Sequence, residues 1–223
     1  MMKTILSAAL LAAGLMAGSA QAGVLYSDGS INGTVDALTI NYGFQVADTF
    51  NLSGGSTLTS VQGVGLWLFP GDTATSVQWS ILTSNGGLLG TTVASGTASL
   101  SLSSAGADSY GFSLYNAAFS LPNLKLGAGT YWLELQNLNV ASGDSGYWDI
   151  NGGPSNSWEN TIGYMGSNNC GTSGWGNGVF EDCSSPFQIV GNVAVPEPAT
   201  VSLVGVGLAA VGGWRLRRKA KSA

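Results

Sequence analysis

Phe44-Gln45-Val46-Ala47-Asp48-Thr49-Phe50-Asn51-Leu52 decides the fold. Phe44, Val46, Phe50 and Leu52 stand at even positions with Gln45, Ala47, Thr49 and Asn51 between them, the period of two that marks a strand with one face buried. The alternation returns at Val64-Leu66-Leu68, Val77-Trp79-Ile81, Leu100-Leu102, Tyr110-Phe112-Leu114 and Tyr131-Leu133-Leu135, and a last strand-like run is Phe187-Gln188-Ile189-Val190. Turn signals separate these runs: Ser53-Gly54-Gly55, Pro70-Gly71-Asp72, Asn85-Gly86-Gly87, Ala105-Gly106-Ala107-Asp108, Gly127-Ala128-Gly129 and Ser142-Gly143-Asp144. Each apolar face needs a second sheet to cover it, so the expected fold is all-β, an antiparallel, jelly-roll-like β-sandwich. No fixed internal period supports the alternative, a β-solenoid.

Composition narrows the chemistry. The chain has 223 residues, 34 of them glycine, and no histidine, which excludes Ser/His/Asp and Cys/His nucleophile systems and histidine-ligated metals. Between Gly23 and Val195 the one base, Lys125, faces eleven acids, a balance that repels nucleic acid and anionic lipid. The other bases, Lys3, Arg215, Arg217, Arg218, Lys219 and Lys221, sit at the two ends.

At the start, Lys3 precedes an apolar run from Ile5 to Ala17 and then Ala20-Gln21-Ala22, the small-x-small pattern of a signal-peptidase site. Residues 1–22 are therefore expected to form a signal helix, removed before Gly23, with the secretion translocon and signal peptidase as partners. An N-terminal anchor helix is the alternative, but the run is short for a hydrocarbon core of about 30 Å.

The far end, residues 195–223, mirrors this design: Val195-Pro196-Glu197-Pro198-Ala199-Thr200, an apolar stretch over 199–214, then Arg215, Arg217, Arg218 and Lys219 within a basic end at 215–221. As a helix the apolar stretch reaches about 24 Å, and Gly205, Gly207, Gly212 and Gly213 weaken it. The basic cluster is expected to stop transfer and stay cytoplasmic. Pro196 and Pro198 keep the backbone around Glu197 extended, as a processing enzyme requires.

These three parts, in this order, resemble the PEP-CTERM sorting domain, also catalogued as an ice-binding protein C-terminal domain. The resemblance implies an exosortase, a transpeptidase-like membrane enzyme, acting at Val195, Pro196, Glu197 and Pro198 on a chain held briefly in the inner membrane. It further implies delivery to the surface or exterior of a Gram-negative bacterium, in association with exopolysaccharide or biofilm matrix. A retained membrane anchor is the competing reading of the tail. The ice-binding name does not extend to the body, where Thr57-Leu58-Thr59 is an isolated Thr-x-Thr. Ala47-Asp48-Thr49-Phe50, Ala94-Ser95-Gly96 and Gly127-Ala128-Gly129-Thr130-Tyr131-Trp132-Leu133 also resemble the choice-of-anchor β-sandwich domains of secreted proteins, which implies the fold and no settled activity.

Within the body, 23–194, the stretch from Ser142 to Ser185 is rich in Asn, Gly, Ser and aromatics and reads as a long loop region. Cys170 and Cys183, the two cysteines of an exported chain, are expected to pair, worth about 3 kcal/mol on the chain-entropy account. Three chemistries compete for this region. Trp148, Trp158 and Trp175, with Asp149, Asn151 and Asn156, suit polysaccharide binding, since indole faces meet sugar C–H faces while amides and carboxylates fix hydroxyls; packing is the competing role for each ring. Trp67, Trp79 and Trp132 are expected in the core or on a sheet face. Asp144, Asp149 and Asn151, or Glu181 with Asp182, offer hard oxygens to calcium, without EF-hand spacing, as a calcium-dependent adhesin would use. Glu134, Asp149, Glu159 and Glu181 are the acids from which a secreted carbohydrate-active hydrolase would draw its pair, though nothing in the spacing fixes one. The reading that results is a non-catalytic surface or matrix protein with no required cofactor or metal site.

Overall fold

The computed structural model describes residues 22–34, 36–155, 157–160, 178–180 and 184–194. Among these residues thirteen strands build two antiparallel sheets: β1 (Gly23–Ser27), β2 (Asp36–Thr39), β3 (Gln45–Leu52), β4 (Ser56–Leu68), β5 (Ala74–Asn85), β6 (Leu88–Ser99), β7 (Ser101–Ala107), β8 (Ser113–Leu126), β9 (Gly129–Val140), β10 (Tyr147–Ile150), β11 (Ser157–Asn160), β12 (Gly178–Phe180) and β13 (Gln188–Val193). The expected all-β sandwich is what the residues form. The signal helix and the C-terminal hydrophobic helix fall on residues outside the described set.

The first sheet is organised around β4. One edge of β4 pairs with β8, which continues to β7; its other edge takes β13 and then β1 along its first half, and β10 and then β2 at its far end. Such a long strand must bend, and its pairing slips between Leu58 and Ser60 and between Val61 and Val64, where Gly63 adopts φ 70°. The second sheet runs β12-β11-β3-β9-β5-β6.

The core lies between the sheets. Alternation sends Val46, Phe50, Leu133, Leu135, Val77 and Ile81 inward from the second sheet against Leu58, Val61, Val64, Leu66, Leu68, Trp148 and Ile150 from the first. Each such side chain contributes about 1.5–3 kcal/mol on burial, offset largely by chain entropy. Aromatic contacts tie the layers together at one point: Phe187 lies 5.6 Å from Tyr26, 5.9 Å from Trp148 and 6.3 Å from Phe50, ring centre to ring centre. Trp67, Trp79 and Trp132 are all buried, as their strand positions imply.

Three local results depart from the sequence reading. The stretch 142–185 is not a continuous loop, because it supplies β10, β11 and β12. Tyr110 and Phe112 precede β8 and lie in a turn closed by the Asp108 carboxylate, which accepts the N–H groups of Tyr110 at 2.9 Å and Phe112 at 2.7 Å. Leu88–Ser99 is a full edge strand, β6, despite Gly90 and Gly96; the Gly96 position is in demand because a Cβ there would stand 3.1 Å from the Trp79 indole.

Candidate functional site

The outer face of the first sheet carries the most developed side-chain arrangement that reaches solvent. On β10 the residues alternate, so Trp148 and Ile150 enter the core while Tyr147 and Asp149 face outward. Tyr147 pairs with Trp67 on β4, and the two rings bracket Phe112, whose centre is 5.5 Å from Tyr147 and 5.9 Å from Trp67. Phe69 stands 4.9 Å from Phe112, and Tyr110 lies 5.7 Å from Trp67 with its ring tilted by 31°. Trp67 is buried at the base, whereas Phe69 is 40% and Tyr110 59% exposed. Five rings thus form a graded patch, fixed at the bottom and open at the top.

Asp149 fixes that base. Its Oδ1 accepts the Trp67 indole N–H at 2.7 Å and the Gly33 N–H at 3.3 Å, and its Oδ2 accepts the Asn32 N–H at 2.9 Å. Burial raises the carboxyl's pKa, while the Asn32, Trp67 and Gly33 bonds pull it down. Asn151 completes the clamp on the segment from Asp28 to Gly33: its amide donates to the Asp28 carbonyl at 2.9 Å and the Ser30 carbonyl at 3.1 Å, and its Oδ1 accepts from the Gly153 N–H. Gly65 is the seat for this segment, since a Cβ there would lie 2.8 Å from the Asp149 Cβ and 3.0 Å from Ile31 and Pro186.

Beside the clamp the same sheet forms an open groove of about 510 Å³ whose polar lining includes Gln62, Asn116, Gln188, Ser101 and Ser103. Amides and hydroxyls are neutral groups that both donate and accept, which suits hydroxyl-rich ligands more than ions.

The sequence-predicted residues meet different fates. Trp148 is wholly buried and donates its indole N–H to the Pro186 carbonyl at 3.1 Å, so it presents no ring face to solvent. Trp158 is half-buried on the outer face of the second sheet, packed with Leu89 against Ala47, Leu82 and Trp132. Asp149 and Asn151 are buried and spend their polar atoms on the clamp. Trp175, Asn156, Cys170, Cys183, Glu181 and Asp182 lie outside the described residues, and with them the expected disulfide. Asp144 is an exposed loop residue. Of the paired-acid candidates, Asp149 faces outward from the first sheet, Glu134 shares the outer face of the second sheet with Trp132, and Glu159 points into the interior. Burial, and secondarily the charge of Asp36, raises the pKa of Glu159 to about 7. Among the described residues no group of three acids gathers to hold a metal.

Two features were missed in the sequence. The patch of Phe69, Tyr110 and Phe112 was invisible because its members flank turns that only strand pairing brings together. The second is a set of interior carboxyls, Asp28 and Asp48, which the sequence reading gave no role and which are wholly buried.

Comparison with known families identifies a PEP-CTERM protein-sorting motif at residues 194–219. The match spans Val195, Pro196, Glu197 and Pro198, the glycine-interrupted apolar stretch and the basic residues through Lys219. No curated protein matches the chain. The motif marks an exported protein, anchored transiently in a membrane and processed by an exosortase-type enzyme.

Proposed function

We propose that the exported body is a non-catalytic cell-surface or matrix protein that contacts polysaccharide through the outer face of its first sheet. The observation that carries this reading is the ring patch: Tyr110 and Phe69 are held open to solvent by Trp67 and Phe112 beneath them. Rigid aromatic faces over a fixed base suit sugar C–H surfaces, and the neighbouring groove offers amides and hydroxyls for sugar hydroxyls. The dispersal of Glu134, Asp149 and Glu159 over two outer faces and the interior favours binding over hydrolysis, which needs two carboxyl groups across one bond. An exosortase substrate delivered to a polysaccharide-rich exterior is a fitting carrier for such a face.

The test is retention of purified protein on the producing cell's own exopolysaccharide. Tyr110→Ala and Phe69→Ala are expected to reduce retention at least about tenfold in combination while lowering the melting temperature by only a few degrees, because Tyr110 is 59% and Phe69 40% exposed. Unchanged retention by a folded double variant would reject the reading. The mass of the mature C-terminus, with and without the exosortase, tests the delivery step separately.

A further inference from the structure

At the opposite face of the Asn151 clamp, four separated segments bring oxygen atoms together in the interior. Asp28 follows β1, Asp48 lies on β3 with its side chain directed between the sheets, and Ser155, Ser184 and Ser185 come from the connections around β11 and β13. None of these five is more than 7% exposed, and four have no exposure at all. Ser155 donates to Asp28 Oδ2 at 2.5 Å and meets the Ser184 hydroxyl at 2.8 Å. The two carboxyls are electrostatic neighbours: after burial itself, the charge of Asp28 is what raises the pKa of Asp48. Tyr26 closes the cluster with its hydroxyl 3.3 Å from Asp28 Oδ1.

The charges in this cluster are unanswered. The one basic side chain among the described residues, Lys125, is exposed on β8 opposite Thr57, on a different part of the first sheet. Asp48 Oδ2 accepts from Ser157 at 3.1 Å and from the Ser185 N–H, yet its Oδ1 has no hydrogen-bond partner and no solvent. The Ser185 hydroxyl, attached to the residue whose N–H grips Asp48, is likewise buried without a partner. A bare carboxylate pair in such a place is costly unless something positive satisfies it. One shared proton would join the two carboxyls but would leave the Ser185 hydroxyl unsatisfied.

We propose that Asp28, Asp48, Ser155, Ser184 and Ser185 enclose a site for one hard divalent cation of the calcium class. All candidate donors are oxygens, two of them anionic, which matches calcium's preference for six to eight oxygen ligands and excludes soft metals that require thiolate or imidazole. The site is distinct from the exposed ring patch, and its failure would leave the polysaccharide reading untouched. Its physical role is to join β1, β3 and the segment entering β13, so that the first strand, the second sheet and the last strand are cross-linked through one ion.

The experiment uses the mature protein stripped with EDTA and titrated with terbium, whose emission is excited through a nearby tyrosine, and then with calcium. One sensitised terbium per chain, displaced by calcium, is expected, with a melting temperature raised by about 5–10 °C at a calcium concentration a hundred times Kd. Asp48→Asn should abolish both effects; should that variant not fold, Tyr26→Phe, which keeps both carboxylates, should retain the stoichiometry and lose most of the emission. Absence of terbium emission together with a calcium-independent melting temperature overturns the proposal. So does calcium binding that survives in Asp48→Asn, or an Asp48→Asn variant that is more stable than the parent with and without calcium, the mark of a proton-sharing pair.

Discussion

Replacing Asp149 by alanine probes the clamp beneath the ring patch. The substitution deprives three donors of their acceptor: the Trp67 indole N–H at 2.7 Å, the Asn32 N–H at 2.9 Å and the Gly33 N–H at 3.3 Å. A buried donor left unpaired costs about 1–3 kcal/mol: about 2 for the Trp67 indole, which is buried and short-bonded, and about 1 each for the two backbone groups, one long-bonded and one only partly buried. The gross loss is then about 4 kcal/mol. Removing a carboxylate whose burial already raises its pKa returns about 1, for a net destabilisation of about 3 kcal/mol. For a body of this size that corresponds to a fall in melting temperature of about 6–12 °C. Trp67→Phe should lose about half as much, and the double variant should be less destabilised than the sum by at least about 1 kcal/mol, since the two share one bond. Urea denaturation of the four proteins decides it. A loss below about 1 kcal/mol for Asp149→Ala, or strict additivity with Trp67→Phe, refutes the view that this carboxylate holds the face together.

Gly65→Ala places a methyl 2.8 Å from the Asp149 Cβ, with Ile31 and Pro186 at 3.0 Å, and should cost about 1–3 kcal/mol in the same assay. Glu159 tests the interior charge. Its folded pKa is raised from 4.5 to about 7, so the folded state holds a proton that the unfolded chain has released; stability is fullest below about 4.5, declines as pH rises through this window and is level above it. Glu159→Gln should flatten that slope and stabilise the protein at pH 8 by about 1–2 kcal/mol, a figure reduced for residual solvent screening. Melting curves from pH 4.5 to 8 would show a persisting slope in the variant if other groups are responsible.

Strand alternation was legible wherever it ran long: the periods through Phe50, Leu66, Trp79 and Leu133 all mark inward faces of the sandwich. It failed where pairing partners are remote. β10 is only four residues, and its Trp148 is assigned to the core because Leu66, eighty-odd positions earlier, lies opposite. Aromatic residues in an Asn- and Gly-rich stretch read naturally as ligand contacts, and nothing local distinguishes Trp148, committed to the interior, from Trp158, half-buried outside. Tyr110 and Phe112 misled in the opposite direction, since their alternation with Leu114 imitates a strand while Asp108 folds them into a turn. The sorting motif was legible because its signal is covalent order along the chain and depends on no tertiary contact.

The pairing of β1 with β13 sets Gly23 opposite Gly191, with Val24 opposite Val190. The earliest described strand therefore has no sheet partner until nearly the whole body has been made and exported after it. Closure of that border of the sandwich is timed by the arrival of the segment immediately ahead of the sorting motif. Maturation is thus ordered by topology: a chain stalled before residue 188 exposes an unzipped strand edge, and a chain that presents its processing signal has already emitted every strand needed to seal it.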